Sequence, residues 1–453
     1  MKIAWFTPFV VKSAIGNYSK NAVEALERYT DAKVDVFALR DTDSQLRQTS
    51  VNVVEYRKGH PPIHLLSQYD AVVYNMGDNL EFHADIYEIA QQWPGVVIDH
   101  DACMLNFIKG YCIATGGAEK FRTLVDVLFG EGTGRTLEED LNNPITYTRV
   151  NFLKYNMQKP IVQNAAGVVV HSEYHKKILE EQYDGPITVI PHIATTEYRE
   201  PHKDAGFAGY APGKLNILSV GLVNWNKQAD KVMDAIAGSP YLRENVRYTL
   251  VGATDNQAYL SRLLQKLRED NLDDCVKIMG RVDYETLDRY YDHADVICNL
   301  RYPALEGGSG SLEEQLVQGK PVIVMDTGVY SEMPDDCVVK IDVRNLKQEL
   351  PQKLERLARD NAYREQIGRN AAAFAKEEFS REKYANLLHE FLEQPFNKKN
   401  RFLMPLYQVT KKIERELAYL GLDTAVGDPA LKMVGHVAEE VKAMFDIPGD
   451  MNT

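Results

Sequence analysis

Short apolar, β-branched runs alternate with segments of helical period along this chain, and the alternation runs through twice. In the first half the runs are Lys2–Phe9, Lys33–Leu39, Ala71–Tyr74, Val96–Asp99, Gly167–His171 and Thr188–Ile190, with helical segments such as Tyr18–Tyr29 and Glu81–Gln92 between them. In the second half they are Leu215–Val220, Arg247–Val251, Val276–Ile278, Asp295–Leu300, Pro321–Met325 and Val338–Ile341. Helical patterns there cover Gln228–Ala237, 255–270, Tyr284–Tyr291 and Leu312–Gln318. An uninterrupted apolar run reads as a strand buried on both faces, and strands separated by helices must be parallel, because the chain has to cross over between them. The expected fold class is therefore α/β, with two doubly wound domains facing a central cleft.

The stretch HKDAGFAGYAPGKLN, rich in Gly with one Pro, suits a linker near residues 200–213. The expected domains are 1–205, with an inserted helical and loop segment at 103–160, then 206–385, then a helical tail at 386–453. In the tail, Leu406, Val409, Ile413, Leu417 and Leu420 fall on one helical face. Ligands of doubly wound sheets bind beyond the carboxyl ends of the strands, so functional residues are expected in loops that follow strands.

Composition narrows the function. The net charge of −13 argues against general nucleic-acid binding. The five cysteines are odd in number and include no C-x-x-C pair, which fits a reducing compartment better than disulfides or structural zinc. The apolar start is interrupted by Pro8 and reads as a first strand, and no run reaches the roughly 18 apolar residues of a membrane span. A cytoplasmic place is expected. Lys398, Lys399 and Arg401, followed by Phe402, Leu403 and Met404, are read as packing on the protein or on another subunit; contact with an anionic membrane surface at its inner face is the alternative.

The most informative segment is NLRYPALEGGSGSLEEQLVQGKPVIVMDTG, residues 299–328. A buried strand ends near Leu300 and a Gly-rich loop follows. Leu312, Leu316 and Val317 then recur at helical spacing until Gly319. Unblocked N–H groups and the positive end of a helix dipole make such a loop an anion site, with Glu306 before it and Glu314 within the first turns. On these grounds alone, a plain strand–helix connection with solvated glutamates remains open.

EGGSGSLEEQLVQGKPVI resembles, without gaps, the Glu-x7-Glu motif of retaining, family 4 type glycosyltransferases (group 1) of the GT-B fold, which has two Rossmann-like domains. The resemblance continues in FTPFVVKSAIGNYSKNAVEAL, VVIDHD, VVVHSEYHKKIL, VIPHI, LSVGLVNWNKQADKVMDAI and IMGRVDYETLDRYYDHADVICNL, in the family's order over most of residues 1–390. It implies that Glu306 contacts the donor sugar, Glu314 the nucleotide ribose, and the backbone amides of Gly308, Ser309, Gly310, Ser311 and Leu312 the diphosphate. Gly16 would lie where the chain nears donor phosphate, His100 at the cleft, and Lys227 on phosphate. The family's arginine after the glycine of the second domain's first strand is Leu222 here, so either another cation substitutes, with Arg281 and Arg301 as candidates, or donor phosphate binds more weakly.

The implied reaction moves a hexose-type sugar from a UDP- or GDP-sugar to a glycan or lipid-linked acceptor, with net retention and no metal or cofactor. Catalytic roles fall to Glu306, His100 and Lys227, the leaving diphosphate takes the acceptor's proton, and domain closure excludes water. Alternatives are a nucleotide-sugar epimerase, a glycan phosphorylase or a non-catalytic GT-B partner; an NAD-type oxidoreductase lacks its G-x-G-x-x-G after the first strand. Two Asp-x-Asp patterns resemble the metal-binding pattern of the other large glycosyltransferase fold: Asp41–Asp43 is read as a polar turn, and Asp99–Asp101, which ends an apolar strand, is not read as a metal site because that fold has no second domain with a Glu-x7-Glu loop. His171 and His175 are read as structural, because His171 ends a strand and does not share a helical face with His175.

Overall fold

The computed structural model describes residues 1–40, 45–143, 146–204, 206–254 and 256–394; the Asp41–Asp43 pattern and the stripes after residue 395 lie outside the described residues. The first unit runs β1 (Lys2–Phe6), α1 (Ala14–Tyr29), β2 (Lys33–Leu39), β3 (Asn52–Tyr56), β4 (Ala71–Met76), α2 (Leu80–Gln92), β5 (Val96–Asp99), α3 (Leu105–Phe129), α4 (Thr133–Asn142), α5 (Lys159–Val162), β6 (Gly167–Val170), α6 (Glu173–Glu180) and β7 (Ile187–Val189). Its strands form one parallel sheet in the order β3-β2-β1-β4-β5-β6-β7. Alternate side chains serve opposite faces: Phe6, Phe37 and Tyr74 pack on one, Trp5, Val36 and Val73 on the other. Both faces are apolar, so both carry helices.

The second unit runs β8 (Leu215–Val220), α7 (Ala229–Gly238), α8 (Pro240–Asn245), β9 (Val246–Val251), α9 (Gln257–Glu269), β10 (Val276–Gly280), α10 (Tyr284–His293), β11 (Val296–Cys298), α11 (Gly310–Val317), β12 (Val322–Met325), β13 (Val339–Ile341), α12 (Leu346–Arg359), α13 (Asn361–Glu378) and α14 (Arg381–Leu392). Its sheet is parallel in the order β10-β9-β8-β11-β12-β13. Each sheet reverses its strand order beside its first strand, at β1/β4 and at β8/β11. Those are the switch points where crevices form.

Residues 103–160 are helix and loop, as their sequence implies. Phe107, Phe121, Leu137 and Phe152 from this segment are buried in the first unit's core. α3 bends at Gly117, whose φ of 73° interrupts the helix.

α14 returns to the first unit. Tyr384, Ala385, Leu388, Phe391 and Leu392 share a core with Trp5, Val23 and Leu26. The Tyr384 and Tyr18 hydroxyls are hydrogen-bonded. The boundary expected at 385/386 therefore runs through a helix, and residues 386–392 close the first core instead of opening a separate tail. All five cysteines are free and buried. Among the described residues no helix is long and apolar enough to cross a membrane.

Candidate active site

The carboxyl ends of the two sheets face each other, and the loops leaving them touch. Gly307 N–H donates to the His100 carbonyl at 2.9 Å, and Cys103 N–H donates to the Leu305 carbonyl at 3.1 Å. Ser172 Oγ donates to the Gly307 carbonyl at 2.6 Å. From the second unit, the Glu332 carboxylate caps the first turn of α6, accepting from the N–H groups of Glu173 at 3.1 Å and of Tyr174. The cleft is thus closed over the Gly-rich loop. Only glycine permits this approach: a Cβ on Gly307 would stand 2.2 Å from His175 Nδ1, and one on Gly308 2.8 Å from the Cβ of His171.

Ser309 caps α11, its Oγ accepting from Leu312 N–H at 3.4 Å. The first turn at Gly310–Leu312 therefore starts where the loop meets the first unit. Glu306 accepts from Leu305 N–H at 3.0 Å and from the Tyr330 hydroxyl, and its Oε1 lies 3.3 Å from Arg301 Nε. Tyr330 also reaches Ser309 Oγ at 3.1 Å. Burial, then the adjacent Glu306 charge, pushes the Tyr330 phenol far above its usual range, so it stays a hydrogen-bond donor. Glu314 accepts from Thr195 Oγ1 at 2.6 Å, across the cleft from the first unit. Burial raises its carboxyl, with Thr195 opposing that shift.

Lys227 lies in a short 3-10 turn, Trp225–Lys227, after β8. Its Nζ donates to the Val220 carbonyl at 3.2 Å and folds over Gly221. Burial, then the charge of Arg301, lowers its pKa to about 7, with Glu306 acting in the opposite direction. Of the two cations considered for the place of the family's arginine, Arg301 is buried among these groups while Arg281 is exposed. Leu222 is itself 43% exposed.

Gly16 sits in the first turn of α1, whose cap Ser13 accepts from Gly16 N–H at 3.0 Å. The close approach it permits is to the protein's own chain: a Cβ there would be 2.5 Å from the Pro8 carbonyl oxygen. Gly16→Ala is expected to destabilise the fold by about 1–3 kcal/mol through overpacking. A urea midpoint unchanged by the substitution would show that the loop yields freely.

On the first-unit side, three histidines from three strand ends converge: His100 after β5, His171 after β6 and His192 after β7. His100 Nδ1 lies 3.1 Å from His171 Nε2. The outer nitrogens are held separately, His100 Nε2 by Asn75 Oδ1 at 3.2 Å and His171 Nδ1 by the Ile190 carbonyl at 3.0 Å. His192 Nδ1 is 2.8 Å from Glu313 Oε2 of the second unit. Burial, then neighbouring histidines, holds His100 and His171 well below the usual imidazole range. Burial also acts to lower His192, but the Glu313 carboxylate reverses this and the net shift is upward. Tyr18 lies against all three rings, 4.6 Å from His100, 5.5 Å from His171 and 4.8 Å from His192 between centroids.

The Asp99–Asp101 pattern does not gather its carboxylates on one point. Asp99 faces His175 Nε2 at 3.4 Å, whereas Asp101 accepts from Asp78 N–H at 2.8 Å. His171 and His175 likewise face different partners. Sequence reasoning missed Tyr330, Thr195, His192 and Glu313; each joins the site through a contact between elements far apart in the chain.

Residues 207–374 match the model of the family described as glycosyl transferases group 1. The chain is 24% identical over 359 residues to an uncharacterized glycosyltransferase of Methanocaldococcus jannaschii, an alignment covering 78% of this chain and 87% of that one. Among solved structures it is similar to the sucrose-phosphate synthase of Thermosynechococcus elongatus, at a TM-score of 0.61 and 18% identity over 87% of this chain and 99% of that one. It is also similar to HepE of Anabaena in complex with UDP, at a TM-score of 0.57 and 16% identity over 86% of this chain and 99% of that one. The chain thus has the GT-B fold, two parallel-sheet units facing across a cleft, and its second unit is similar to the glycosyl transferases group 1 model over residues 207–374.

Proposed function

We propose that this protein transfers a sugar from a nucleotide-diphosphate donor, a UDP- or GDP-sugar, to a glycan or lipid-linked acceptor with retention of configuration, on the cytoplasmic side of the membrane. The observation that carries this reading is the placement of Glu306, Lys227, Arg301 and the capped start of α11 around one point of the cleft, with Glu314 farther along the same helix. The N–H groups of Gly308–Leu312, Lys227 and Arg301 stabilise charge on the leaving diphosphate, where preorganised donors contribute most. They do so in place of a metal ion bridging the phosphates. Glu314 takes the ribose hydroxyls, and Glu306 and His100 position the sugar. The leaving diphosphate accepts the acceptor's proton on the face that the sugar occupies. HepE of Anabaena has been solved with UDP and with UDP-glucose, which supports a UDP donor.

Arg301 supplies the charge that Leu222 lacks, and this favours a catalytic chain over a non-catalytic partner. Incubation with UDP- and GDP-sugars, with and without acceptor glycans, is expected to release nucleoside diphosphate with the new bond in the donor's anomeric configuration. An epimerised nucleotide sugar without acceptor would overturn the transferase reading.

Lys227 gives the site a pH signature. Its pKa of about 7 in the free protein rises when a diphosphate binds beside it, so binding is strongest below that value and weakens as pH climbs through 7 towards the higher value of the complex. Calorimetry of UDP binding near pH 7.5 in buffers of different ionisation enthalpy is expected to show proton uptake that Lys227→Met abolishes. Equal uptake by the variant would remove Lys227 from the phosphate site.

A further inference from the structure

Of His100, His171 and His192 only His100 has a part in the sugar-transfer reading, and that part leaves the pairing of the three imidazoles unexplained. Asn75 Nδ2 donates to the Phe6 carbonyl at 3.0 Å, which turns Asn75 Oδ1 towards His100. Its oxygen accepts, so His100 carries its proton on Nε2. His171 Nδ1 faces the Ile190 carbonyl at 3.0 Å, also an acceptor, so His171 carries its proton on Nδ1. A neutral imidazole has one N–H. The two inward nitrogens, His100 Nδ1 and His171 Nε2, are therefore both bare, and they face each other at 3.1 Å. Two lone pairs at that distance repel unless positive charge lies between them.

The third imidazole completes the pattern. His192 Nδ1 lies 2.8 Å from Glu313 Oε2, and Nε2 is the ring nitrogen left to face a ligand once the imidazole is neutral. One ligand nitrogen from each of the three rings lies within 4.8 Å of the others. Among the described residues this is the one group of metal-type side chains so gathered. The outer nitrogens of His100 and His171 are anchored by an amide carbonyl and a backbone carbonyl, and a carboxylate oxygen lies 2.8 Å from His192 Nδ1. Metal-ligating histidines are held in this way, because the outer hydrogen bond fixes tautomer and ring orientation.

From these observations we propose that His100, His171 and His192 form a binding site for a divalent transition-metal ion of the zinc class at the base of the cleft. Zinc–nitrogen bonds of about 2.0–2.1 Å at tetrahedral angles separate two ligand nitrogens by about 3.3–3.4 Å, close to the His100–His171 spacing. Binding requires His192, whose ligand nitrogen is within 4.8 Å of the other two, to close to the same spacing. Three nitrogen ligands suit zinc, cobalt or nickel and not the oxygen-seeking magnesium. The fourth position opens towards the Gly307–Gly310 loop, since Gly310 is the loop residue beside the His192 ring.

The test uses the full-length protein stripped with chelator and titrated with zinc alone, reading bound metal by equilibrium dialysis and elemental analysis. One zinc per chain is expected, with at least tenfold weaker binding in His171→Gln and in Glu313→Gln, the latter removing only the anchor of His192. Cobalt is expected to give the intense visible band of a four-coordinate site in the unmodified protein and to lose it in both variants. Circular dichroism confirms that each variant is folded, and His192→Gln replaces any that is not. Substoichiometric zinc would overturn the proposal. So would one equivalent that persists in both variants, which would place the ion on exposed histidines such as His60 and His64.

Discussion

Replacing Lys227 with alanine is expected to lower kcat/KM for sugar transfer by about 10²–10³-fold, the usual effect of removing one preorganised donor from a developing negative charge. Lys227 is folded over Gly221 at the carboxyl end of β8, in electrostatic contact with Arg301 and Glu306. Its burial makes it effective: a charge in a water-poor site acts at lower effective dielectric than one in solvent. Burial also keeps its affinity for protons low until a phosphate arrives. Arginine at this position retains the charge but not the fit, because a planar guanidinium cannot take the place of a compact ammonium above Gly221. Steady-state release of nucleoside diphosphate measures both variants. A loss smaller than tenfold in Lys227→Ala would shift the neutralising role to Arg301.

The second large effect falls on stability as well as on catalysis. Glu306→Ala leaves the Arg301 guanidinium, only 8% exposed, without its carboxylate. Stranding a buried charge costs roughly 3 kcal/mol, at the low end of the range for buried pairs because the Glu306 side chain keeps 20% of its exposure. The Tyr330 hydroxyl and the Leu305 N–H lose an acceptor at the same time. Glu306→Gln keeps the shape and one carbonyl oxygen, so it is expected to lose much less stability while still impairing transfer. Urea denaturation of the pair separates the two consequences. Equal midpoints for the Ala and Gln variants would mean that Arg301 finds another partner.

The strands were legible because parallel strands covered on both faces are written as unbroken apolar runs, as in Ala71–Met76, where every residue is buried. β3 escaped notice because it lies at the sheet edge: NVVEY has only its last residue buried and lacks an apolar run. The loop around Glu306 could be recognised because its residues are contiguous. The histidine trio could not, since 71 residues separate His100 from His171 and only the order of β5, β6 and β7 makes them neighbours. Locally His171 reads as the end of a strand, one residue past β6, and nothing local reveals a second imidazole opposite it. Arg301 was one of two candidate cations, and burial against Glu306 separates it from Arg281.

The return of α14 to the first sheet has a consequence for how the protein is made. Tyr384, Leu388, Phe391 and Leu392 are buried against α1 and β1, and their four side chains together contribute on the order of 6–12 kcal/mol of burial free energy. That is comparable with the whole stability of an ordinary domain. The amino-terminal half therefore waits for residues about 190 positions downstream, roughly 10–40 s of synthesis at ribosomal elongation rates. Until then the apolar face of α1 is uncovered on the nascent chain, so a fragment ending at the interdomain linker should depend on chaperones and aggregate without them, whereas the second sheet can complete itself first.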